Sequence, residues 1–267
     1  MAELLRASGL VKDFKVPKKT GWFGADTVRA LDGVDLVVAE GETVAVVGES
    51  GSGKSTLGRS LLWLDPTDAG SVSFDGKELG QLPAGELRRA RRDLQMVFQD
   101  PYASLDPRQR AREIVTENLV VHEGLKGDAQ DEMARRLLVQ VGLEPGWVER
   151  YPHEFSGGQR QRLAIARAIA TKPRLIVADE PVSALDLELQ VQILDLLRQL
   201  RAQMRLSLVF ITHDLKLVKG FAQRVLVMKD AKVVEQGSVE EVFARPQHPY
   251  TRELLAAILP LPLRRPS

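Results

Sequence analysis

Short apolar runs of strand length alternate along the chain with stretches in which apolar residues recur at helical spacing. The strand-sized runs lie at residues 42–48, 94–98, 175–178, 208–212 and 225–228. Between the third and fourth runs, one helix face carries Ile193, Leu196, Leu197, Leu200 and Met204. Because almost continuous apolar strands that alternate with helices are typical of a parallel sheet covered on both faces, the pattern predicts an α/β core.

Two regions depart from this alternation. Residues 1–14 and 28–40 predict short strands ahead of the core, separated by residues 15–26, whose Pro, Gly and Lys content predicts an exposed loop. From about residue 102 to 151 the spacing of apolar residues is helical, and no strand-like run appears. We therefore expect a helical subdomain inserted in the α/β core.

The composition is that of an ordinary globular protein, and it argues against several kinds of partner and binding site. Of 267 residues, 44% are hydrophobic and 27% charged, and 37 basic against 36 acidic side chains leave a formal charge of +1. This balance gives no electrostatic reason to bind nucleic acid or an anionic membrane, and arginine clusters at 88–92 and 108–112 are interpreted as solvated helix faces. Since cysteine is absent, disulfides, thiolate zinc sites and cysteine-ligated iron–sulfur clusters are excluded.

The sequence also bears on location. No apolar run approaches the roughly 18 residues that a membrane-spanning helix needs. The first 14 residues lack the basic-then-apolar pattern of a secretion signal. We therefore expect a cytoplasmic chain whose link to any membrane passes through a partner protein.

The clearest chemical motif is the segment GESGSGKS at residues 48–55, which follows an apolar run and precedes an expected helix at about 54–63. It fits the pattern G-x-x-x-x-G-K-[ST], in which backbone N–H groups cradle phosphates. Lys54 is suited to neutralise the β- and γ-phosphates, and the Ser55 hydroxyl to bind Mg²⁺. A chance glycine-rich turn is the alternative, and the strand–loop–helix context argues against it. The residues expected to hold the nucleotide here are Gly48, Ser50, Gly51, Gly53, Lys54, Ser55 and Thr56.

Two adjacent carboxylates, Asp179 and Glu180, follow the apolar run at 175–178. Ligands of open α/β sheets bind at the carboxyl ends of the strands. Asp179 is suited to hold Mg²⁺, directly or through water, and Glu180 to orient and deprotonate an attacking water. The alternative is a strand-terminating turn at Pro181, which the accompanying phosphate loop disfavours.

A second anion-binding segment precedes an expected helix at 160–171. Ser156, Gly157, Gly158 and Gln159 make a helix N-terminus that is suited to phosphate. Because one nucleotide does not need two such cradles, we infer that this one serves ATP held by another subunit, which gives a two-fold, head-to-tail dimer with two ATPs. A plain serine N-cap followed by flexible glycines is the alternative.

Taken together, these motifs resemble those of ATP-binding-cassette (ABC) ATPases. Ser156–Gln159 is similar to the family's signature motif. Gln99, in VFQDP, resembles its glutamine loop; Asp186, in SALD, resembles its dimer-interface loop; and His213, in ITHD, resembles its switch histidine. Phe14 lies where the family has an aromatic residue that stacks on adenine.

The resemblance implies ATP and Mg²⁺ as cofactors and ATP hydrolysis as the activity. It further implies that Gln99 reaches Mg²⁺ or the attacking water, and that His213 contacts the γ-phosphate and holds Glu180. The catalytic residues are therefore expected to be Glu180, His213 and Gln99, and the metal-binding residues Ser55, Gln99 and Asp179.

The fold implied by the resemblance is an α/β P-loop NTPase (RecA-like) core with an N-terminal antiparallel β-subdomain and an inserted α-helical subdomain. The resemblance covers about residues 4–245. It implies a nucleotide-binding domain at 1–245, with the helical subdomain at about 102–158, and a short C-terminal tail at 246–267.

Three features resemble the peptide/nickel importer branch of the family: the insertion at 15–26, VFQDPYASL at 97–105, and RPQHPYT at 245–251. For the last, a proline-stopped loop before a terminal helix is the alternative. The branch implies a second ABC ATPase subunit (identical or paralogous), integral membrane permease subunits and, indirectly, an extracytoplasmic solute-binding protein. It also implies a peripheral position on the cytoplasmic side of the inner membrane and uptake of peptides or related small solutes.

Two other classes of ATP-binding protein share some of these motifs. Non-transport ABC ATPases of DNA repair or translation typically carry two cassettes or long coiled-coil insertions, and this sequence shows one cassette and no heptad array. A P-loop kinase would use the phosphate loop but leave Ser156–Gln159 and His213 without a role. We therefore predict an importer ATPase with no nucleic-acid partner.

Overall fold

The computed structural model describes residues 2–17 and 25–257, which form two sheets and the helices that cover them. The strands are β1 (Glu3–Pro17), β2 (Ala25–Ala39), β3 (Thr43–Val47), β4 (Ala69–Phe74), β5 (Lys77–Glu78), β6 (Leu94–Val97), β7 (Leu175–Asp179), β8 (Ser207–Thr212), β9 (Arg224–Lys229) and β10 (Lys232–Ser238). The α-helices are α1 (Lys54–Leu61), α2 (Ala84–Asp93), α3 (Pro101–Ser104), α4 (Ala111–Glu123), α5 (Asp128–Gln140), α6 (Gly157–Ile169), α7 (Leu187–Met204), α8 (Val239–Ala244) and α9 (Pro249–Ala256).

A six-stranded sheet forms the core, in the order β10-β9-β3-β8-β7-β6. The pairs among β9, β3, β8, β7 and β6 are parallel, and β10 joins β9 as an antiparallel edge. Strands β3, β7 and β8 are buried along their whole length, which explains why their sequences are apolar except at the ends. Because these three strands are adjacent and parallel, the phosphate loop, Asp179 and the segment leading to His213 leave the sheet at the same edge.

Both faces of this sheet are covered, and alternate residues of a strand enter different cores. Ile176 and Phe210 belong to a core that includes apolar residues of α4, α5, α6 and α7. Val177 and Val209 belong to a second core, formed with α1 and the N-terminal strands. The parallel α/β core expected from the sequence is confirmed.

The second sheet is antiparallel, in the order β2-β1-β4-β5, which confirms the expected N-terminal β-subdomain. Its first two strands are 15 residues long, so the prediction of short strands is wrong. The prediction of a loop at 15–26 is also wrong at both ends, because Lys15 pairs with Thr27 and Val16 with Asp26. The antiparallel ladder continues through these residues despite their loop-like composition. The centre of the expected loop, 18–24, lies outside the described residues.

Residues 101–154 contain α3, α4, α5 and short 3₁₀ turns and no strand, as the apolar spacing predicted. Ile114 of α4, Leu138 of α5 and Leu163 of α6 share one core with Phe210 of the main sheet. The helical region is therefore fixed to the sheet by common apolar packing. Its boundaries at about 102 and 158 stay a prediction.

The C-terminal segment returns to the main sheet. Helices α8 and α9 contribute Val239, Val242, Tyr250 and Leu255 to a third core beside β9. Residues 258–267 of the expected tail lie outside the described residues, and the division at 245/246 stays a prediction. Across 2–17 and 25–257, none of the helices combines the length and apolarity needed to cross a bilayer.

Candidate functional site

The phosphate loop leaves β3 and enters α1 with backbone angles that side chains disfavour. Gly48 has φ +154° and Gly53 has φ +103°. A Cβ atom at Gly48 would overlap the carbonyl oxygen of Met228, and one at Gly53 would overlap that of Ala30. Glycine at these two positions is therefore required by close backbone approach as well as by φ.

Lys54 turns its ammonium group back over the loop. Its Nζ donates to the carbonyl oxygens of Gly48 at 2.8 Å and Glu49 at 2.7 Å. Burial lowers the pKa of Lys54, and the charges of Glu180 and Asp179 oppose that shift. The side chain is a buried amine held by backbone oxygens at the loop that begins α1.

Asp179 ends β7 directly beside α1, and Ser55 donates its hydroxyl proton to Asp179 Oδ1 at 3.0 Å. Burial raises the pKa of Asp179, and the hydrogen bond from Ser55 acts in the opposite direction. A hydroxyl and a carboxylate at this distance are hard oxygen donors of the kind that Mg²⁺ prefers, together with phosphate oxygens. The two residues therefore fit the expected metal.

Glu180 is held by segments that are far apart in sequence. Gln99 Nε2 donates to its Oε2 at 3.0 Å, and His213 Nδ1 lies 3.2 Å from its Oε1. Its backbone has φ +44°, a left-handed conformation that costs a residue other than glycine of order 1–3 kcal/mol. The N–H of Glu180 donates to the carbonyl oxygen of Ile211 at 3.0 Å, so β8 fixes this conformation.

A cavity of about 210 Å³ joins the phosphate loop to Gln99 and Glu180, whereas His213 reaches it only through its contact with Glu180. Its lining includes Val28, Ala30, Ser50, Gly51, Gly53, Lys54, Ser55, Thr56, Gln99 and Glu180. A second cavity of about 480 Å³ lies alongside and reaches Asp179 and Phe98. The phosphate-binding, metal-binding and catalytic candidates of one chain thus surround one continuous edge of the sheet.

Phe14 lies opposite Val28 in the β1–β2 ladder, and Val28 lines the cavity at the phosphate loop. Its side chain is 38% exposed, and the Lys12 ammonium lies 5.6 Å from the ring centroid. An ordinary core phenylalanine would be buried. The stacking of Phe14 on adenine stays a prediction, and its position beside the cavity is compatible with it.

The second anion-binding segment caps α6. Ser156 Oγ accepts from the N–H of Gln159 at 3.4 Å, and Gln159 Oε1 accepts from the N–H of Ser156 at 2.9 Å. A Cβ at Gly158 would crowd the Leu189 side chain, whereas one at Gly157 would meet nothing nearer than 3.8 Å. Packing within the chain therefore gives no reason for glycine at 157.

The structure does not bring all the predicted site residues together. Ser156–Gln159 and Asp186 line neither of the two cavities beside the phosphate loop. Asp186 instead caps α7, where its Oδ1 accepts from the N–H of Leu189 at 2.9 Å. In one chain, these residues form a separate surface.

One link at this surface was not predicted from the sequence. The guanidinium of Arg160, a buried residue in the first turn of α6, lies 3.7 Å from the ring centroid of Tyr102. Tyr102 is 64% exposed and follows Gln99 by three residues. The contact joins the segment after Gln99 to the helix that Ser156 caps. Tyr102 belongs to the segment VFQDPYASL, but nothing in that segment or around Arg160 indicates that the two residues pair.

Known proteins provide an independent comparison. The sequence profile of the ABC transporter family matches residues 31–183. Over 256 residues the chain is 48% identical to a putative peptide import ATP-binding protein of Brucella ovis, covering 96% of this chain and 78% of that protein. Over 262 residues it is 47% identical to the oligopeptide transport ATP-binding protein OppF of Escherichia coli K12, covering 97% of this chain and 78% of OppF.

Solved structures agree with the sequence comparison. A dimeric post-hydrolysis state of the ATP-binding cassette MJ0796, bound to ADP and Pi, matches with a TM-score of 0.77 and 32% identity, over 88% of this chain and 99% of that chain. The expected fold class is thereby confirmed. Since the family profile spans more than half of the sequence and the relatives match along most of it, this chain belongs to the ABC transporter family, as its motifs implied.

Proposed function

We propose that the chain is the ATP-binding and ATP-hydrolysing subunit of an ABC importer for peptides or related small solutes. The observation that carries this proposal is the grouping of Lys54, Asp179, Glu180, Gln99 and His213 at one edge of the main sheet. The relatives named above are described as peptide import and oligopeptide transport ATP-binding proteins, which favours import over a role in DNA repair or translation.

Nucleotide binding is assigned to the phosphate loop and the start of α1. The loop N–H groups and the helix N-terminus attract phosphate oxygens, and Lys54 supplies a positive charge. Ser55, Asp179 and Gln99 would hold Mg²⁺, which neutralises phosphate charge when bound. Phe14 would lie against the adenine ring.

Hydrolysis is assigned to Glu180. Its carboxylate takes a proton from the attacking water as the water oxygen bonds to the γ-phosphorus and the bond to ADP breaks. Gln99 and His213, which contact the two carboxylate oxygens of Glu180, orient it toward the phosphate. The products are ADP and inorganic phosphate.

A second cassette completes the site. We assign Ser156–Gln159 and Asp186 of one subunit to the nucleotide held by Lys54 of the other, in a head-to-tail dimer. The surroundings of Gly157 support this arrangement, because an added Cβ would meet only Leu185 at 3.8 Å and packing within the chain does not require glycine there. The MJ0796 cassette provides a precedent, since its structure is dimeric with ADP and Pi bound.

Transport requires partners in the membrane. A cavity of about 290 Å³ between β6 and α4, lined in part by Leu64, Phe98 and Asn118, lies next to Gln99. We assign this groove to the cytoplasmic part of a permease subunit, so that the chain is held on the cytoplasmic side of the inner membrane. A solute-binding protein outside that membrane would deliver the solute to the permease.

The membrane assignment predicts the co-purifying proteins. When the full chain is affinity-purified from detergent-solubilised membranes of its host, integral membrane subunits and one further ABC cassette, or a second copy, should co-purify. Mass spectrometry identifies them. Recovery of ribosomes or DNA without any integral membrane protein would contradict the importer assignment and favour a non-transport ABC ATPase.

The dimer assignment predicts different outcomes for two glycine-to-alanine changes. A Cβ at Gly157 would make one ordinary contact, with Leu185 at 3.8 Å, and one at Gly85 would meet nothing within 4 Å. Neither Gly157→Ala nor Gly85→Ala creates a clash within the chain, so the free energy of unfolding should stay equal or rise by up to about 1 kcal/mol. At a close-packed interface the added methyl at 157 should weaken ATP-dependent dimerisation by roughly tenfold or more. Light scattering with a non-hydrolysable ATP analogue and Mg²⁺, which keeps the dimer from reopening through hydrolysis, measures the effect. Equal dimerisation of the two variants would argue against the interface.

A further inference from the structure

The C-terminal segment containing HPYT is anchored on the main sheet by one acidic side chain. Glu235 on β10 accepts from the backbone N–H of Gln247 at 2.8 Å through Oε1, and from that of His248 at 3.0 Å through Oε2. Burial raises the pKa of Glu235, but the Gln247 N–H, the nearby Thr251 hydroxyl and the His248 N–H together outweigh it and the net pKa is lowered. The carboxylate thus fixes the chain at the point where α9 begins.

This anchor directs Tyr250 into the third core. His248 caps α9 by accepting from the N–H of Tyr250 at 3.2 Å. The tyrosine is 3% exposed, packs in the same core as Val47 and Val227, and has the Lys229 ammonium 4.6 Å from its ring centroid. Its ring therefore has little freedom to move relative to β3 and β9.

The hydroxyl of Tyr250 reaches the phosphate loop. It accepts a hydrogen bond from the backbone N–H of Glu49 at 2.9 Å, across 201 residues of sequence. The carbonyl of the same peptide unit, that of Gly48, accepts from Lys54 Nζ at 2.8 Å. Because a peptide group is planar, its orientation is fixed by Tyr250 at the N–H and by Lys54 at the carbonyl oxygen.

The orientation of this peptide affects the part of the loop that lines the cavity. Gly48 lies so close to the backbone of Met228 that no Cβ fits, and with φ +154° it leads into the loop residues that line the cavity. Glu49 and Tyr250 do not line that cavity. The Tyr250 hydroxyl therefore accepts from a loop N–H outside the cavity lining, and it constrains the peptide that directly precedes the cavity-lining residues Ser50 and Gly51.

We propose that Tyr250 is a positioning residue for nucleotide binding, through which the C-terminal HPYT segment holds the phosphate loop in its binding-competent shape. The inference rests on the proposed function, in that the loop must bind ATP. Tyr250 acts through the Gly48–Glu49 peptide and does not touch the nucleotide. The tail thereby gains a role in the ATPase site of its own subunit.

Tyr250→Phe tests the proposal, because it keeps the buried ring and removes only the acceptor oxygen. Losing one net hydrogen bond that orders the loop should raise the Kd for MgATP by roughly three- to tenfold. At saturating MgATP, kcat should stay within about twofold of the wild-type value, since Glu180 and its contacts are unchanged. Isothermal titration calorimetry on the full chain gives Kd, and steady-state phosphate release gives the split between KM and kcat.

Leu255→Val provides the matched control. Leu255 is buried in the same helix and the same core, so this variant should lower the thermal midpoint and leave the Kd for MgATP unchanged. If Tyr250→Phe also lowers the midpoint with an unchanged Kd, the bond is structural only and the proposal is wrong. Wild-type protein that fails to bind MgATP would instead overturn the proposed function itself.

A second variant tests the anchor. Glu235→Gln replaces one acceptor oxygen by an NH₂ group, so that either the Gln247 or the His248 N–H loses its partner. If the tail positions the loop through this anchor, the Kd for MgATP should rise in the same direction as in Tyr250→Phe. An unchanged Kd in Glu235→Gln together with a raised Kd in Tyr250→Phe would limit the role to the tyrosine and its own helix.

Discussion

Glu180→Gln is expected to lower kcat for ATP hydrolysis by roughly 10²–10⁴-fold while the Kd for MgATP changes little. A carboxamide cannot take the proton of the attacking water, whereas its size and shape match those of the carboxylate. The phosphate loop and the Ser55–Asp179 pair remain intact in this variant. The loss should therefore lie in the chemical step.

The surroundings of Glu180 favour a correctly placed glutamine. Gln99 can still donate to the amide oxygen at position 180, and the amide nitrogen stays within reach of His213 Nδ1. The left-handed backbone at 180 is already imposed on a residue with a Cβ, so the exchange adds no new strain. ATP bound without hydrolysis should then keep the two cassettes closed, because ligand that binds one state accumulates that state.

Two measurements check this expectation. Single-turnover phosphate release should be almost abolished, and light scattering after gel filtration in MgATP should show a dimer that wild-type protein does not retain. Glu132→Gln, a matched change in an exposed pair with Arg136 on α5, should leave both unchanged. Normal hydrolysis by Glu180→Gln, or its failure to form an ATP-dependent dimer, would contradict the proposed mechanism.

The sheet and the phosphate loop could be predicted because their signals are local. Strands β3, β7 and β8 are fully buried, so their sequences are apolar except at their ends and differ clearly from surface segments. The loop GESGSGKS has steric requirements at Gly48 and Gly53 that leave a direct mark in the sequence. Where burial, or the close approach of another backbone segment, dictates the residue type, the structure could be predicted from the sequence pattern.

The features that escaped prediction depend on contacts between distant segments. The ends of β1 and β2 look like a loop by composition, and it is their mutual pairing that makes them strands. Strand β10 is a partly exposed edge with mixed composition, so it lacks both the alternating and the continuous apolar pattern. The φ of Glu180 and the bond from Glu49 to Tyr250 leave no local signal, because each is set by a partner elsewhere in the chain.

Lys54→Ala is expected to remove nucleotide-induced stabilisation as well as hydrolysis. Wild-type protein at a MgATP concentration of about 100 times Kd gains roughly 2.7 kcal/mol in the free energy of unfolding, and loss of the charge that faces the phosphates should reduce this gain to nearly zero. Without nucleotide the variant should fold nearly as well as wild type. In the wild-type protein, burial disfavours the charge of the Lys54 ammonium and lowers its pKa. The variant loses the two hydrogen bonds of this ammonium, but it also loses the unfavourable burial of its charge.

Thermal unfolding with and without MgATP separates these two effects. Wild-type protein and Lys126→Ala, a change in the exposed connection between α4 and α5, should both show a nucleotide-dependent rise in Tm. Lys54→Ala should show none, and its phosphate release should fall to background. A Tm rise of wild-type size in Lys54→Ala would mean that nucleotide binds without this amine. The phosphate loop would then not be the site at which ATP acts, and the roles assigned to Asp179, Glu180 and Tyr250 would fail together, because each is defined by its position relative to that loop.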